Sequence, residues 1–345
     1  MSDPGESSEA NAVEAGNGHG GRSRWVVGIL AVVAVYAVGV VVLGVEEALG
    51  AFRGASLAPL TGALLMQVLA VVFWSRVYTS SAHATGRRVG LWDGLRVTMP
   101  AFTLSHTLPG GGWAGNALAV QRLTMLGMDG PVALAAVALA SSISMTVVAA
   151  LGVTGIAAAF IAGDLPRSAL LIALPVLVVL VLVVVTVIAV LRSPAGGDRV
   201  VRAIARVHPR LRRRVDDWRH SLRHVTHDPP SNRRLLAIAR WALLKWTADI
   251  VALALIFFSV HQVPRVSALL LGFGATQLAT AIPITPGGAG FVEGGMVGAF
   301  VVLGYSGSTS ASIVVLYRVL ETWLPALAGV PLLLRGPAAD DGHAP

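Results

Sequence analysis

An apolar run of about 20 residues is just long enough to cross a bilayer core of roughly 30 Å as a helix, and this chain is built from such runs. They fall at 25–45, 57–78, 131–160, 169–191, 235–260 and 309–334. Hydrocarbon offers the backbone no water to bond, so a spanning segment must satisfy its own N–H and C=O groups as a helix or as part of a closed barrel. Runs this long and this apolar read as helices. Only 13% of the residues are charged, about half the share usual in soluble domains. The sequence therefore predicts an all-α polytopic membrane protein. The first run is too long for the apolar part of a signal peptide, and no small-residue cleavage site follows it within 46–52. It reads as the first span.

Between the spans lie two apolar segments that are broken by proline and glycine. One breaks at Leu108-Pro109-Gly110-Gly111-Gly112-Trp113, the other at Pro283-Ile284-Thr285-Pro286-Gly287-Gly288. Irregular backbone survives at membrane depth only where protein buries it or a wet cavity lines it. A broken apolar segment is thus a pointer to a transport site. Arginine placement orients the chain. The loop at 79–96 carries Arg87, Arg88 and Arg96 against Asp93, and the stretch 192–240 carries thirteen arginines against four aspartates. By the positive-inside rule both are cytoplasmic.

Residues 97–130 then start and finish inside, and residues 265–308 start and finish outside. Each half reads as span, broken hairpin, span, with opposite orientation in the two halves. The expected architecture is about six full transmembrane helices plus two re-entrant hairpins in an inverted repeat, with both termini inside. Residues 1–21 read as a disordered cytoplasmic tail, 22–335 as one transmembrane domain and 336–345 as a short tail. Within 192–234, Ile204, Val207, Leu211, Val215, Trp218, Leu222 and Val225 recur at helical spacing. That pattern fits an arginine-rich amphipathic helix on an anionic inner leaflet, or a plain loop that sets topology. The net charge of +8 thus points to anionic lipid headgroups and not to nucleic acid.

Aligning Pro109 with Pro286 sets Gly110 and Gly111 opposite Gly287 and Gly288, and Asn116 opposite Glu293. Glu293 is the one acid in the second broken segment, and a carboxylate at such depth marks a functional site by default. Arg318 lies about 14 Å into the last span at 1.5 Å per residue, on one face with Glu321. It keeps its charge there, so it needs a carboxylate or a phosphate; Glu293, Glu321 and an entering headgroup are the candidates. Lys245 and Asp249, four apart on the fifth span, read as an ion pair joining helices or as substrate contacts. Arg122 falls near the inner end of the first hairpin, where snorkelling to the interface is one explanation. The candidate translocation residues are Pro109, Gly110, Gly111, Asn116, Arg122, Pro286, Gly287, Gly288, Gly290, Glu293, Arg318 and Glu321. Helix N-termini after the two breaks would offer free N–H groups to an anion, phosphate above all.

Soluble-enzyme motifs are absent: no phosphate-binding loop, no H-E-x-x-H, no G-x-S-x-G. The chain has no cysteine, hence no thiolate nucleophile or cysteine-based metal site. His208, His220, His224 and His227 read as interfacial. No catalytic residue, cofactor or metal is expected.

Pro283-x-x-Pro286-Gly287-Gly288-x-Gly290-x-x-Glu293, followed by Leu316-Tyr317-Arg318, then Trp323-Leu324-Pro325 and Gly329, resembles the flippase-like transmembrane domain of lysylphosphatidylglycerol synthases and their stand-alone relatives. In layout the resemblance covers roughly residues 25–335; its specific motif lies in 283–329. It implies a bacterial inner-membrane protein that moves a lipid headgroup between leaflets, with the second break and the arginine of the last span at the working site. It also implies a stand-alone member without the aminoacyl-transferring domain. The first break reads Gly-Gly-Gly-Trp-Ala-Gly-Asn where relatives often carry arginine or an acid, which leaves substrate choice open. The expected function is translocation of an anionic lipid or polyprenyl-linked substrate. The alternatives are an intramembrane enzyme acting on a polyprenyl-phosphate donor and a membrane scaffold for a separate lipid synthase.

Overall fold

The computed structural model describes Gly50 and residues 52–108, 111–164, 230–280 and 285–334. The described helices belong to the unit formed by residues 51–345. The expected spans at 25–45 and 169–191, the amphipathic stretch up to residue 229 and both tails lie outside the described residues, as do Pro109, Gly110 and Pro283.

Among the described residues, four helices are long and apolar enough to span a bilayer: α1 (Leu57–Ala84), α4 (Gly130–Ile161), α5 (Asn232–Ser259) and α8 (Gly307–Leu334). Each coincides with an expected span to within a few residues, except that α1 runs on to Ala84. The hydropathy signal stops at Tyr78 because Thr79, Ser80 and Ser81 are polar. Their backbone nonetheless continues the helix, and Thr79, Ser81 and Ala82 are buried against protein. Between the spans stand two pairs of shorter helices: α2 (Leu91–Thr107) with α3 (Gly111–Met125), and α6 (Val266–Thr280) with α7 (Phe291–Val302). At 12 to 17 residues these arms reach only about 18–26 Å. Each is shorter than the roughly 20 residues a full span usually takes, as the expected re-entrant hairpins require.

The two halves pack as a crossed pair. Helices α1 and α5 lie antiparallel along their length; the N–H of Ser56 at the start of α1 donates to the carbonyl of Ser259 at the end of α5 (2.7 Å). Their seam on α1 is Ala63, Ala70, Val77 and Ala84, all at most 4% exposed. Small residues seven apart let two backbones approach closely, which is how helices associate where lipid removes the hydrophobic drive. Each hairpin then packs its first arm on the closing span of the other half: α2 on the C-terminal part of α8, and α6 on α4. Glycine makes room in both places. A Cβ at Gly329 would strike Met99 and Thr103, and one at Gly155 would strike Leu270. Thr103 also donates its hydroxyl to the Ala326 carbonyl (2.9 Å). Outward-facing Leu64, Leu65, Val68, Leu243, Val251 and Leu327 stay exposed, as a surface meant for lipid requires.

The breaks have different local causes. At the first, the N–H of Gly111 donates to the Leu108 carbonyl (2.9 Å), and the arms of the hairpin close at once. Any Cβ on Gly111 or Gly115 would collide with the carbonyls of Ser105 or Ala101, so glycine four apart is needed for this approach. At the second, the 3₁₀ turn Pro286–Gly288 reverses the chain through Gly287 (φ 56°), Gly288 (φ 71°) and Gly290 (φ 84°). These left-handed values favour glycine over any L side chain.

Candidate functional site

Both breaks open onto one cavity of about 430 Å³. Its wall includes Gly111, Gly112 and Asn116 from the first hairpin, Gly287 and Gly288 from the second, and Glu321 from α8. Lys245 and Asp249 of α5, Trp74 and Tyr78 of α1, and Ser141 and Ser144 of α4 complete its polar side. Lys245 stands about 20 Å along a helix about 42 Å long, near the middle of that span.

Behind this wall the second break is tied down by charge. Arg318 is 2% exposed. Its Nε donates to Glu293 Oε1 (2.7 Å), its Nη1 to Thr322 Oγ1 (2.7 Å) and its Nη2 to the carbonyl of Gly287 (2.9 Å). Glu321 Oε2 lies 3.5 Å from Nη1 and accepts from the Thr322 hydroxyl. The other oxygen of Glu293 accepts from the N–H of Gly290 (2.6 Å), capping α7 as an acid at the third helical position does. One planar fork thus joins α7, α8 and the loop between α6 and α7. A charged group at this depth is tolerable because every partner is supplied by protein.

Helix α8 is shaped to allow this. Residues Val319–Trp323 form a π turn in which the N–H of Leu324 bonds to the Val319 carbonyl. The next residue is Pro325, which has no N–H to offer the carbonyl four residues back. The widened turn groups Arg318, Glu321 and Thr322 around one point. Such bulges recur at functional sites.

On α5, Lys245 Nζ lies 2.7 Å from Asp249 Oδ2. It also sits 3.1 Å from the centre of the Trp246 ring and 5.6 Å from that of Trp74. His106, on the α2 arm, stacks on Phe102 at 4.0 Å and keeps its Nδ1 against the Phe102 carbonyl (2.9 Å).

The structure brings together most of the residues singled out from sequence. Gly111, Asn116, Gly287, Gly288 and Glu321 line the cavity; Glu293 and Arg318 form the ion pair behind it, with Gly290 at its edge. Pro286 begins the 3₁₀ turn. Arg122 stands apart. It does not snorkel: at 7% exposure it donates to the Leu332 carbonyl in the last turn of α8 (3.1 Å), one of the C-terminal carbonyls a helix leaves without a partner. Sequence reasoning leaves Lys245 and Asp249 undecided between a helix stitch and a substrate contact. No periodicity could reveal that they face the cavity, because which side of α5 meets α1 and α4 is a tertiary fact.

A model of the family described as the lysylphosphatidylglycerol synthase TM region matches residues 25–329, nearly the whole chain. The chain belongs to that family. A UPF0104 membrane protein of Methanothermobacter thermautotrophicus is similar at 25% identity over 327 residues, 90% of this chain and 94% of its own length. A further match to a UPF0104 membrane protein of that organism reaches 31% identity but covers only 26% of each chain. A UPF0104 membrane protein of Pyrococcus horikoshii is 29% identical over 104 residues, 30% of this chain and 31% of its own length. For this member of the lysylphosphatidylglycerol synthase transmembrane family, multi-pass membrane residence follows from both the spans and the kinship.

Proposed function

We propose that this protein carries a phosphate-bearing lipid headgroup between leaflets, through the cavity bounded by its two broken hairpins, while the acyl chains remain in lipid. The observation that supports this best is the cavity itself: about 430 Å³ of polar-walled space at mid-helix depth, opened by two helix breaks. A headgroup crossing hydrocarbon needs such a path. Helix α3 begins on the cavity wall at Gly111 and Gly112, so the positive end of its dipole favours an anion there, and Lys245 supplies a cation on the same wall. Across the charged set among the described residues, three carboxylates (Asp249, Glu293, Glu321) stand against Lys245 and Arg318, with the His106 imidazole also on the cavity wall. An anionic headgroup therefore enters with a compensating cation, either a proton or an ammonium of its own. The protein works in the cytoplasmic membrane with both termini inside, on the arginine pattern of its loops, and anionic lipids are its partners.

Leaflet exchange of labelled phosphatidylglycerol in proteoliposomes tests this. Gly112 lines the cavity, and nothing lies within 4 Å of the point a Cβ would occupy there, so Gly112→Phe introduces a ring to the path from an unobstructed Cβ. Exchange in the wild type that falls about tenfold or more in the filled variant is the expected result. Exchange that ignores the phenylalanine places the path elsewhere, and a wild type that exchanges no anionic lipid removes the translocase reading.

A further inference from the structure

Lys245 is the only lysine among the 26 lysines and arginines of the chain. Every other basic position, including Arg318 in the same site, carries a guanidinium. The two side chains do different work. Guanidinium is a planar fork suited to fixed partners, whereas the ammonium is a compact charge on a flexible four-carbon stem with three rotatable donors. This lysine stands on the wall of the cavity, and among the described residues lining it there is no other Lys or Arg.

Its surroundings leave it able to move. Arg318 spends its donors on Glu293, Thr322 and the Gly287 carbonyl, so it is a fixed strut. Among the described residues Lys245 has one carboxylate in direct ion-pair contact, Asp249 at 2.7 Å, with the charge of Glu321 further off, and it otherwise rests against the faces of Trp246 and Trp74. Aromatic faces attract a cation without fixing the direction of its N–H groups. Asp249 is itself only 2% exposed, so it is left as a buried, uncompensated carboxylate whenever the ammonium departs.

We propose that Lys245 is the exchangeable anion-binding residue of the cavity: its ammonium leaves Asp249 to take a phosphate oxygen of the entering group, and returns to Asp249 on release. This rests on the cavity being the headgroup path. Asp249 then acts as a built-in competitor. A carrier must bind well enough to load and weakly enough to unload, and a carboxylate that reclaims the cation lowers affinity in the required sense. Arginine would fail here for the reason it succeeds at position 318. It would lock bidentate onto the acid.

The test is binding of short-chain phosphatidylglycerol, and separately of inorganic phosphate, to the full chain in detergent, alongside thermal unfolding and leaflet exchange in proteoliposomes. Lys245→Gln is expected to weaken binding about tenfold or more, and Asp249→Asn to tighten it by a similar factor while slowing exchange. Lys245→Arg keeps the charge, yet is expected to bind weakly. Phosphate binding with the same dependence assigns the site to the phosphate group alone; binding of the lipid only assigns it to the headgroup in its lipid. A static ion pair that joins helices predicts otherwise: Lys245→Arg would bind like the wild type, and Asp249→Asn would not tighten binding. Either result overturns the proposal. If the single substitutions unfold the protein, the neutral pair Lys245→Gln with Asp249→Asn serves instead: lost binding in that folded protein supports the proposal and wild-type binding overturns it. Wild-type exchange with binding indifferent to position 245 sinks this inference and leaves the pathway standing, whereas a wild type that neither exchanges nor binds sinks both.

Discussion

The two broken hairpins hold the same place in the two halves and are held together by opposite means. In the register that aligns Pro109 with Pro286, Gly130 and Gly307 coincide as the first residues of the closing spans α4 and α8. Asn116 then lies opposite Glu293, Ser141 opposite Arg318 and Ser144 opposite Glu321. Where the second half has an arginine between two carboxylates, the first has an amide and two hydroxyl groups. The first hairpin is instead closed by contact, with Gly111 and Gly115 seated against the carbonyls of the opposite arm. The second turns through a run of left-handed glycines and would be loose without the guanidinium that ties Gly287, Glu293 and Thr322. The comparison teaches that one topological need, a stable re-entrant turn, is met by dispersion and close approach in one half and by directed charge in the other. Charge also leaves a polar wall behind, and the cavity draws its acid from that side.

Six substitutions break or sharpen this contrast. Arg318→Ala should do the most damage. It strands Glu293 and Glu321, whose side chains are 8% and 11% exposed, and stranding buried partners costs about 3–5 kcal/mol; unfolding in detergent should show it, and a stability near wild type would mean the second turn does not depend on charge. Glu293→Gln should cost clearly less, because the amide oxygen can still cap α7 and Glu321 still faces the guanidinium. In the first hairpin, Gly115→Leu forces a side chain into Ser105 and the Ala101 carbonyl and should cost about 1–3 kcal/mol, while Gly112→Ala, facing open space, should stay within about 0.5 kcal/mol of wild type. An equal response at positions 112 and 115 would remove the close-approach account.

Gly287→Ala, at φ 56°, should cost about 1 kcal/mol through its left-handed backbone. Asn116→Ala should have a small effect. Its Oδ1 accepts from the Tyr78 hydroxyl at 3.4 Å, a long bond whose loss is worth about 0.5 kcal/mol. A loss as large as that of Arg318→Ala would mean that the first half, too, is held by a polar network.

Much of the fold is legible in the sequence. The limits of α4, α5 and α8 fall within three residues of the apolar runs because hydrocarbon accepts little else, and the second break announces itself in Pro286-Gly287-Gly288. Helix α1 outruns its apolar run because burial against protein, unlike burial in lipid, admits Thr79 and Ser81. The site is legible in part. Arg318 has a short list of acids it could reach, and the structure shows that it takes both Glu293 and Glu321.

The sequence by itself determined that the chain crosses a membrane and, to within three residues, the limits of α4, α5 and α8, because these follow from local hydropathy and backbone chemistry. Only the tertiary structure decided which faces meet. The crossing of α2 onto α8 and of α6 onto α4, the burial of Arg122 against the end of α8, and the exposure of Lys245 to a cavity while Arg318 is walled off behind it all depend on rotations of helices about their own axes. Those rotations are set by glycine contacts and ion pairs between segments far apart in the chain, at Gly155, Gly329 and Arg318, and no local pattern records them.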